Sequence, residues 1–124
     1  SSNKGNGSSS NNSSSSSGSY VSGSTVSRAY SALGKPYVWG AAGPNSFDCS
    51  GLVSFCLTGR YSHTYSSSDF VGMAKVSNPQ PGDICVRVGH VGVYIGGGQM
   101  IHAPHTGDVV KISSVPSNMW YVRP

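Results

Sequence analysis

The sequence predicts an α+β domain in which N-terminal helices pack on a central antiparallel sheet of about five strands. Between Ser24 and Val76, apolar residues recur at helical spacing and are punctuated by Ser, Asp and Gly at the places where helices begin and end. Beyond Asn78-Pro79-Gln80-Pro81-Gly82 that spacing gives way to five short runs rich in β-branched and aromatic residues. Gly96-Gly97-Gly98 separates two of these runs by so little chain that they read as a hairpin.

Ser1 to Ser19 hold eleven Ser, four Asn, three Gly and Lys4, with nothing apolar. Such a stretch cannot offset its ordering entropy by burial, so residues 1–23 read as a disordered linker and residues 24–124 as the one domain. Ser24 or Thr25 caps a first helix with Val26, Ala29, Tyr30 and Leu33 on its apolar side; Gly34 and Pro36 end it. Tyr37-Val38-Trp39 is a short extended piece, and Gly40 to Ser46 form a loop that delivers the chain to Asp48. Asp48 suits the N-cap of a second helix, which buries Leu52, Val53, Phe55, Cys56 and Leu57 and ends near Gly59. After a polar loop, a third helix is expected from Ser68 or Asp69 to Val76, weakened by Gly72. The strands are expected at 83–88, 91–95, 99–103, 109–113 and 119–122.

Charge and cysteine content exclude several classes of function. The net charge is +4, but Arg28, Lys35, Arg60, Lys75, Arg87, Lys111 and Arg123 are spread singly, unlike the clustered charges of nucleic-acid binders. They read as a mildly basic solvated surface, with room for weak attraction to a polyanionic envelope polymer. No apolar run approaches a membrane span. Three cysteines are too few for a disulfide framework, and no Cys or His pair has the close spacing of a structural zinc site, so no metal or other cofactor is expected. Gly96-Gly97-Gly98 lacks the Lys and helix of a phosphate cradle. Tyr65, Phe70, Trp39 and Trp120 read as core or groove-wall residues, and His63 and His105 as surface loop residues.

Chemistry concentrates at Cys49. Cys56 and Cys85 lie in apolar runs and read as small buried hydrophobes, whereas Cys49 sits where a loop turns into a helix, at the positive end of the helix dipole. That position and a nearby imidazolium favour a thiolate. Two later histidines in strand-like surroundings supply candidates for the imidazole, His90 between Gly89 and Val91 and His102 between Ile101 and Ala103. Gly89 and Gly92 beside His90 leave room for a substrate backbone. If the two strands pair about the glycine turn, residues whose numbers sum to about 194 face each other, which brings His102 opposite Gly92 and close to His90. The pattern assigns Cys49 as nucleophile, His90 as general base and acid, and His102 as the group that orients it. Taken singly, Cys49 is more often an inert thiol and His90 a strand histidine bonded to a carbonyl, and His102 competes as orienting group with the nearby His105.

Tyr37-Val38-Trp39-Gly40, Phe47-Asp48-Cys49-Ser50-Gly51, Pro81-Gly82-Asp83, Gly89 to Gly96 and Met100-Ile101-His102-Ala103-Pro104 resemble, in order, the motifs of NlpC-type cell-wall cysteine peptidases. The resemblance runs from about Ser24 to Arg123. It implies a papain-like fold and hydrolysis of peptidoglycan stem peptides, typically between D-γ-glutamyl and a diamino acid. Cys49, His90 and His102 match the family's catalytic residues, and Tyr37 matches a tyrosine that lines the site near the oxyanion. Asp48 and Ser50 match residues that bind the free amino end of the stem peptide in members that require it. A secreted or envelope-associated bacterial location is expected with it; the Ser/Asn/Gly tether suggests a module cut from a larger multidomain chain with any signal peptide upstream, and a monomer is the default. Two departures leave peptide specificity open: the stretch from Cys49 to His90 is short, and Cys85-Val86-Arg87-Val88 stands where many relatives carry bulkier aromatics. A non-catalytic wall-binding module and a thiol-dependent amidase or acyltransferase stay open as alternatives.

Overall fold

The computed structural model describes residues 20–124. Residues 1–19, most of the expected linker, lie outside the described residues. The remainder of that expected linker touches the domain. Val21 N–H donates to the Gly59 carbonyl at 2.6 Å, Tyr20 pairs with Arg60 in an isolated bridge, and the Arg60 guanidinium lies 5.8 Å from the Tyr20 ring centre. Tyr20 and Val21 bring the apolar surface that the Ser/Gly sequence before them lacks.

Helix α1, Thr25–Ser31, starts at a capping box between Ser24 and Ser27 and stops at Ala32, before the expected Leu33. Its buried side also differs from the expected one: Arg28, Ala29 and Ala32 are buried while Tyr30 and Leu33 are exposed. Arg28 sets this orientation. Its guanidinium donates to the Cys56 carbonyl at 2.8 Å, to Leu57 at 3.4 Å, and to the carbonyls of Val21 and Gly23. Those acceptors include carbonyls in the last turn of the next helix, which a cation suits.

Helix α2, Cys49–Thr58, begins at the Asp48 N-cap and ends at Gly59, whose φ of 76° gives the left-handed C-terminal turn. Gly51 to Cys56 are all buried, as befits a helix that runs through the core. Helix α3 spans Ser67–Val71, shorter than expected. A capping box between Ser66 and Asp69 starts it and Gly72 ends it. The residues beyond are taken by the sheet edge, with Lys75 bridging Val122 and Val76 N–H donating to the Tyr121 carbonyl at 2.7 Å.

Strands β1 (Ile84–Arg87), β2 (His90–Gly96), β3 (Gln99–His102), β4 (Lys111–Ser114) and β5 (Trp120–Val122) form one antiparallel sheet in the order β4-β3-β2-β1-β5. β4 starts later than expected because residues 109–110 pair with the loop after α1 instead: Gly34 N–H donates to Val110 O and Val110 N–H to Lys35 O at 2.9 and 2.8 Å. Ile84, Val86, Val91, Val93, Ile101 and Val122 join Leu52, Val53, Phe55 and Phe70 in the main core. Alternating residues Cys85, Tyr94 and Met100 form a smaller cluster with Met119. Asp83, buried before β1, accepts two hydrogen bonds from the Arg123 guanidinium at 2.7 and 2.9 Å, which holds its carboxyl below the usual range and ties β5 to β1. No helix among the described residues is long and apolar enough to cross a membrane.

Candidate active site

Cys49 is the first residue of α2, and three backbone N–H groups, those of Val91, Ser50 and Cys49 itself, act to favour its thiolate. Burial acts first in the opposite direction, and the neighbouring Asp48 carboxylate adds to it, so the thiol is raised above its ordinary value. Burial thus works against the thiolate that the helix start was expected to favour. Cys56 and Cys85, fully buried, are pushed up to about 12 and are chemically inert.

His90 opens β2, one residue before the Val91 amide that faces the Cys49 sulfur. The β2–β3 register is the expected one: Val93 faces Ile101 and Tyr94 faces Met100, before a shift at Gly96. It brings His90 Nε2 to 2.8 Å from His102 Nδ1, with both rings buried. His102 Nε2 lies 2.9 Å from Ser113 Oγ on β4. This series of contacts restricts the protons. If His90 Nδ1 is to accept a proton from the thiol, Nε2 must carry hydrogen and donate to His102 Nδ1, and His102 Nε2–H then donates to Ser113. Burial, then His102, then Arg87 drive His90 down to about 4; burial followed by Lys111 also lowers His102. Both imidazoles rest neutral at pH 7. Among the described residues no hydrogen bond joins the Cys49 sulfur to an imidazole.

Gly92 serves packing here. A Cβ at this position would stand 2.9 Å from Met100 Sδ and 3.1 Å from His102 Cβ, so the space expected for a substrate backbone is filled by Met100 and His102. Tyr37 is held by its N–H to the Asp108 carbonyl at 2.9 Å and by a bridge to Phe47. Burial raises its phenol, and Cys49 and Asp48 add to the shift.

Asp48 is occupied within the protein. Its Oδ1 accepts from Gly51 N–H at 2.7 Å, His63 Nε2 at 2.9 Å and Ser50 Oγ at 3.4 Å; its Oδ2 accepts from Gly40 N–H at 2.9 Å. His63 and His105 are both surface loop residues as expected, but His63 also joins this cluster, while the His105 side chain is 71% exposed beside Asp108. Trp39, expected in the core or in a groove wall, is 82% exposed on the loop leading to Asp48. Ser113 and His63 are the two residues the sequence did not disclose. For Ser113 the signal was a polar residue in an expected strand, but the long connection after His102 hid its register. His63 gave no signal beyond its residue type.

The fold thus sets a thiol at a helix start in an α+β domain whose antiparallel sheet carries a buried imidazole pair. The sequence profile of the NlpC/P60 family matches residues 34–123, and the chain belongs to that family. It is 42% identical over 97 residues to the probable endopeptidase p60 of Listeria grayi, an alignment covering 71% of this chain and 19% of that protein. It is 37% identical over 112 residues to the peptidoglycan endopeptidase RipA of Mycolicibacterium smegmatis, covering 73% and 22%. The chain spans about a fifth of the length of these relatives. Among solved structures, the NlpC/p60 domain of the peptidoglycan hydrolase SagA superposes with a TM-score of 0.66 at 36% identity, covering 82% of this chain and 97% of that one. The Mycobacterium tuberculosis peptidoglycan hydrolase RipB gives 0.63 at 28%, covering 80% and 62%. These neighbours establish the papain-like α+β fold expected from the sequence.

Proposed function

We propose that this domain is a cysteine peptidase that hydrolyses peptidoglycan stem peptides through an acyl-enzyme, acting at the cell envelope or outside the cell on the bond between D-γ-glutamyl and a diamino acid. The observation that carries the reading is the buried hydrogen-bonded series Ser113–His102–His90, which leaves His90 Nδ1 as its open end. Names of the relatives supply the substrate class, since RipA is a peptidoglycan endopeptidase and SagA and RipB are peptidoglycan hydrolases.

In the first step His90 Nδ1 takes the proton of the Cys49 thiol as the sulfur attacks the scissile carbonyl carbon. The resulting oxyanion accepts hydrogen bonds from the Cys49 backbone N–H and the Tyr37 hydroxyl, each donor worth about 3 kcal/mol in comparable sites. Collapse breaks the C–N bond, and the imidazolium returns its proton to the departing amine, leaving a thioester on Cys49. Water then gives a proton to His90, adds to the thioester carbonyl and releases the acid and the thiol. Because burial keeps both groups neutral at rest, proton transfer accompanies attack. His102 holds the ring of His90 in the required tautomer throughout.

Mass spectrometry of purified muropeptides incubated with the chain tests the reading. Wild type is expected to yield a new carboxylic acid and a new amine, and Cys49→Ala to lower the rate by at least about 10³-fold while remaining folded. Equal product from Cys49→Ala would eliminate the thiol mechanism. Transfer of the acyl group to an added amine in preference to water would identify an acyltransferase.

A further inference from the structure

Val88 and Gly89 form the two-residue turn between β1 and β2, with Gly89 at a φ of 83°. So short a turn fixes Arg87 directly opposite His90, and residues opposed in this way put their side chains on one face of the sheet with Cβ atoms about 5 Å apart. His102 faces Lys111 in the same manner on the other side. Two cations therefore flank the imidazole pair. Beyond burial, which acts first on both rings, the Arg87 charge lowers His90 and His102 alike.

The two cations differ in what neutralises them. Lys111 Nζ donates to Asp108 Oδ2 at 2.7 Å. Elsewhere Arg123 pairs with Asp83, Arg28 donates to backbone carbonyls, and Arg60 and Lys75 lie over the rings of Tyr20 and Trp120. Arg87 is exposed, and among the described residues no ion pair includes it. The adjoining Val88 is 75% exposed, so the turn is open to a ligand. A guanidinium presents five N–H donors in a planar fork that fits a carboxylate bidentately. Arg87 holds that fork open beside the imidazole pair.

In the mechanism proposed above, His90 returns its proton to the departing amine, so the leaving segment lies over His90. The first residue of that segment, the diamino acid, is then the part of the substrate that faces Arg87. Diamino acids differ in charge at the far end of the side chain: lysine ends in an ammonium, and diaminopimelate in a carbon that bears a carboxylate beside its amine. The guanidinium repels the first and fits the second. We infer that Arg87 is a specificity-determining residue that binds this side-chain carboxylate, so that the domain cleaves stems containing diaminopimelate in preference to stems containing lysine. The inference rests on the function proposed above and names its substrate more closely.

The test compares kcat/KM at pH 7 for three synthetic stem tetrapeptides that differ only in the diamino acid: diaminopimelate, its side-chain carboxamide, and lysine. Wild type is expected to prefer diaminopimelate over lysine about tenfold, the effect of one charge-assisted contact, with the carboxamide close to lysine. The preference should shrink as salt is raised, because the contact is exposed. Arg87→Gln, which keeps N–H donors but no charge, is expected to bring all three peptides within about threefold of one another. Arg87→Lys keeps the charge without the fork and is expected to retain part of the preference. A general loss of stability would lower the three rates together and leave their ratios alone. Equal cleavage of the diaminopimelate and lysine peptides by wild type, or unchanged ratios in Arg87→Gln, would overturn the inference while leaving the peptidase reading intact. Cleavage of none of the three by wild type would overturn both.

Discussion

Histidines 63, 90 and 102 lie in a polar loop and in two strands, and tertiary contacts give each a distinct partner. His90 is the informative case. An exposed imidazole titrates near 6.5, whereas burial, His102 and Arg87 lower this one to about 4. Protonation removes its capacity to accept the thiol proton, so activity should fall only as pH drops through that lowered value. The expected kcat/KM profile is flat from pH 7 to about 5 with an acid limb near 4. Arg87→Ala, which removes one of the charges, is expected to move the limb toward higher pH. An acid limb at 6.5 in wild type would show that His90 is solvated or is not the base. Cys49 was legible from its loop-to-helix position and His90 from its glycine neighbours. The direction of their shifts was not, because desolvation depends on what other segments cover.

At the level of elements, the β2–β3 hairpin decides whether two histidines twelve residues apart become one unit. Three consecutive glycines with positive φ make the turn, and the summed register of 194 holds for Val93 with Ile101 and Tyr94 with Met100. Gly92 completes the arrangement by leaving its Cβ space to Met100 and His102. Gly92→Ala is expected to cost about 1–3 kcal/mol by overpacking and to lower kcat about tenfold or more by displacing His102. Urea unfolding and steady-state kinetics check it, and unchanged kcat would mean that the His102 ring needs no such support. A short connection made this pairing readable from residue numbers. The β3–β4 pairing was not readable, since the longer loop between His102 and Lys111 admits many registers, and so Ser113 stayed hidden.

The whole molecule depends on contacts between segments distant in sequence, and Arg28 is the clearest of them. Read from sequence it was one of several scattered surface cations. In the fold it is 6% exposed and joins three segments: α1 carries it, Val21 and Gly23 accept from it before the helix, and Cys56 and Leu57 accept from it at the end of α2. Arg28→Met keeps much of the apolar stem but leaves those carbonyls without donors. The expected loss is about 3 kcal/mol of unfolding free energy, measured by urea denaturation, with loosening of residues 20–24 seen as faster amide exchange. Stability equal to wild type would show that water replaces the guanidinium at no cost.

The sequence by itself determined the α+β class, the helix start at Asp48, the hairpin that pairs the two strands, and the candidacy of Cys49, His90 and His102. Each of these follows from local chemistry, from caps, turns and periodicity that act over a few residues. Only the tertiary structure decided that the thiol and imidazoles rest neutral, that Ser113 ends the hydrogen-bonded series, that His63 covers Asp48, and that Arg28 is buried. Those outcomes depend on burial and on partners brought together by packing, and a residue's solvent exposure is a property of the segments folded over it.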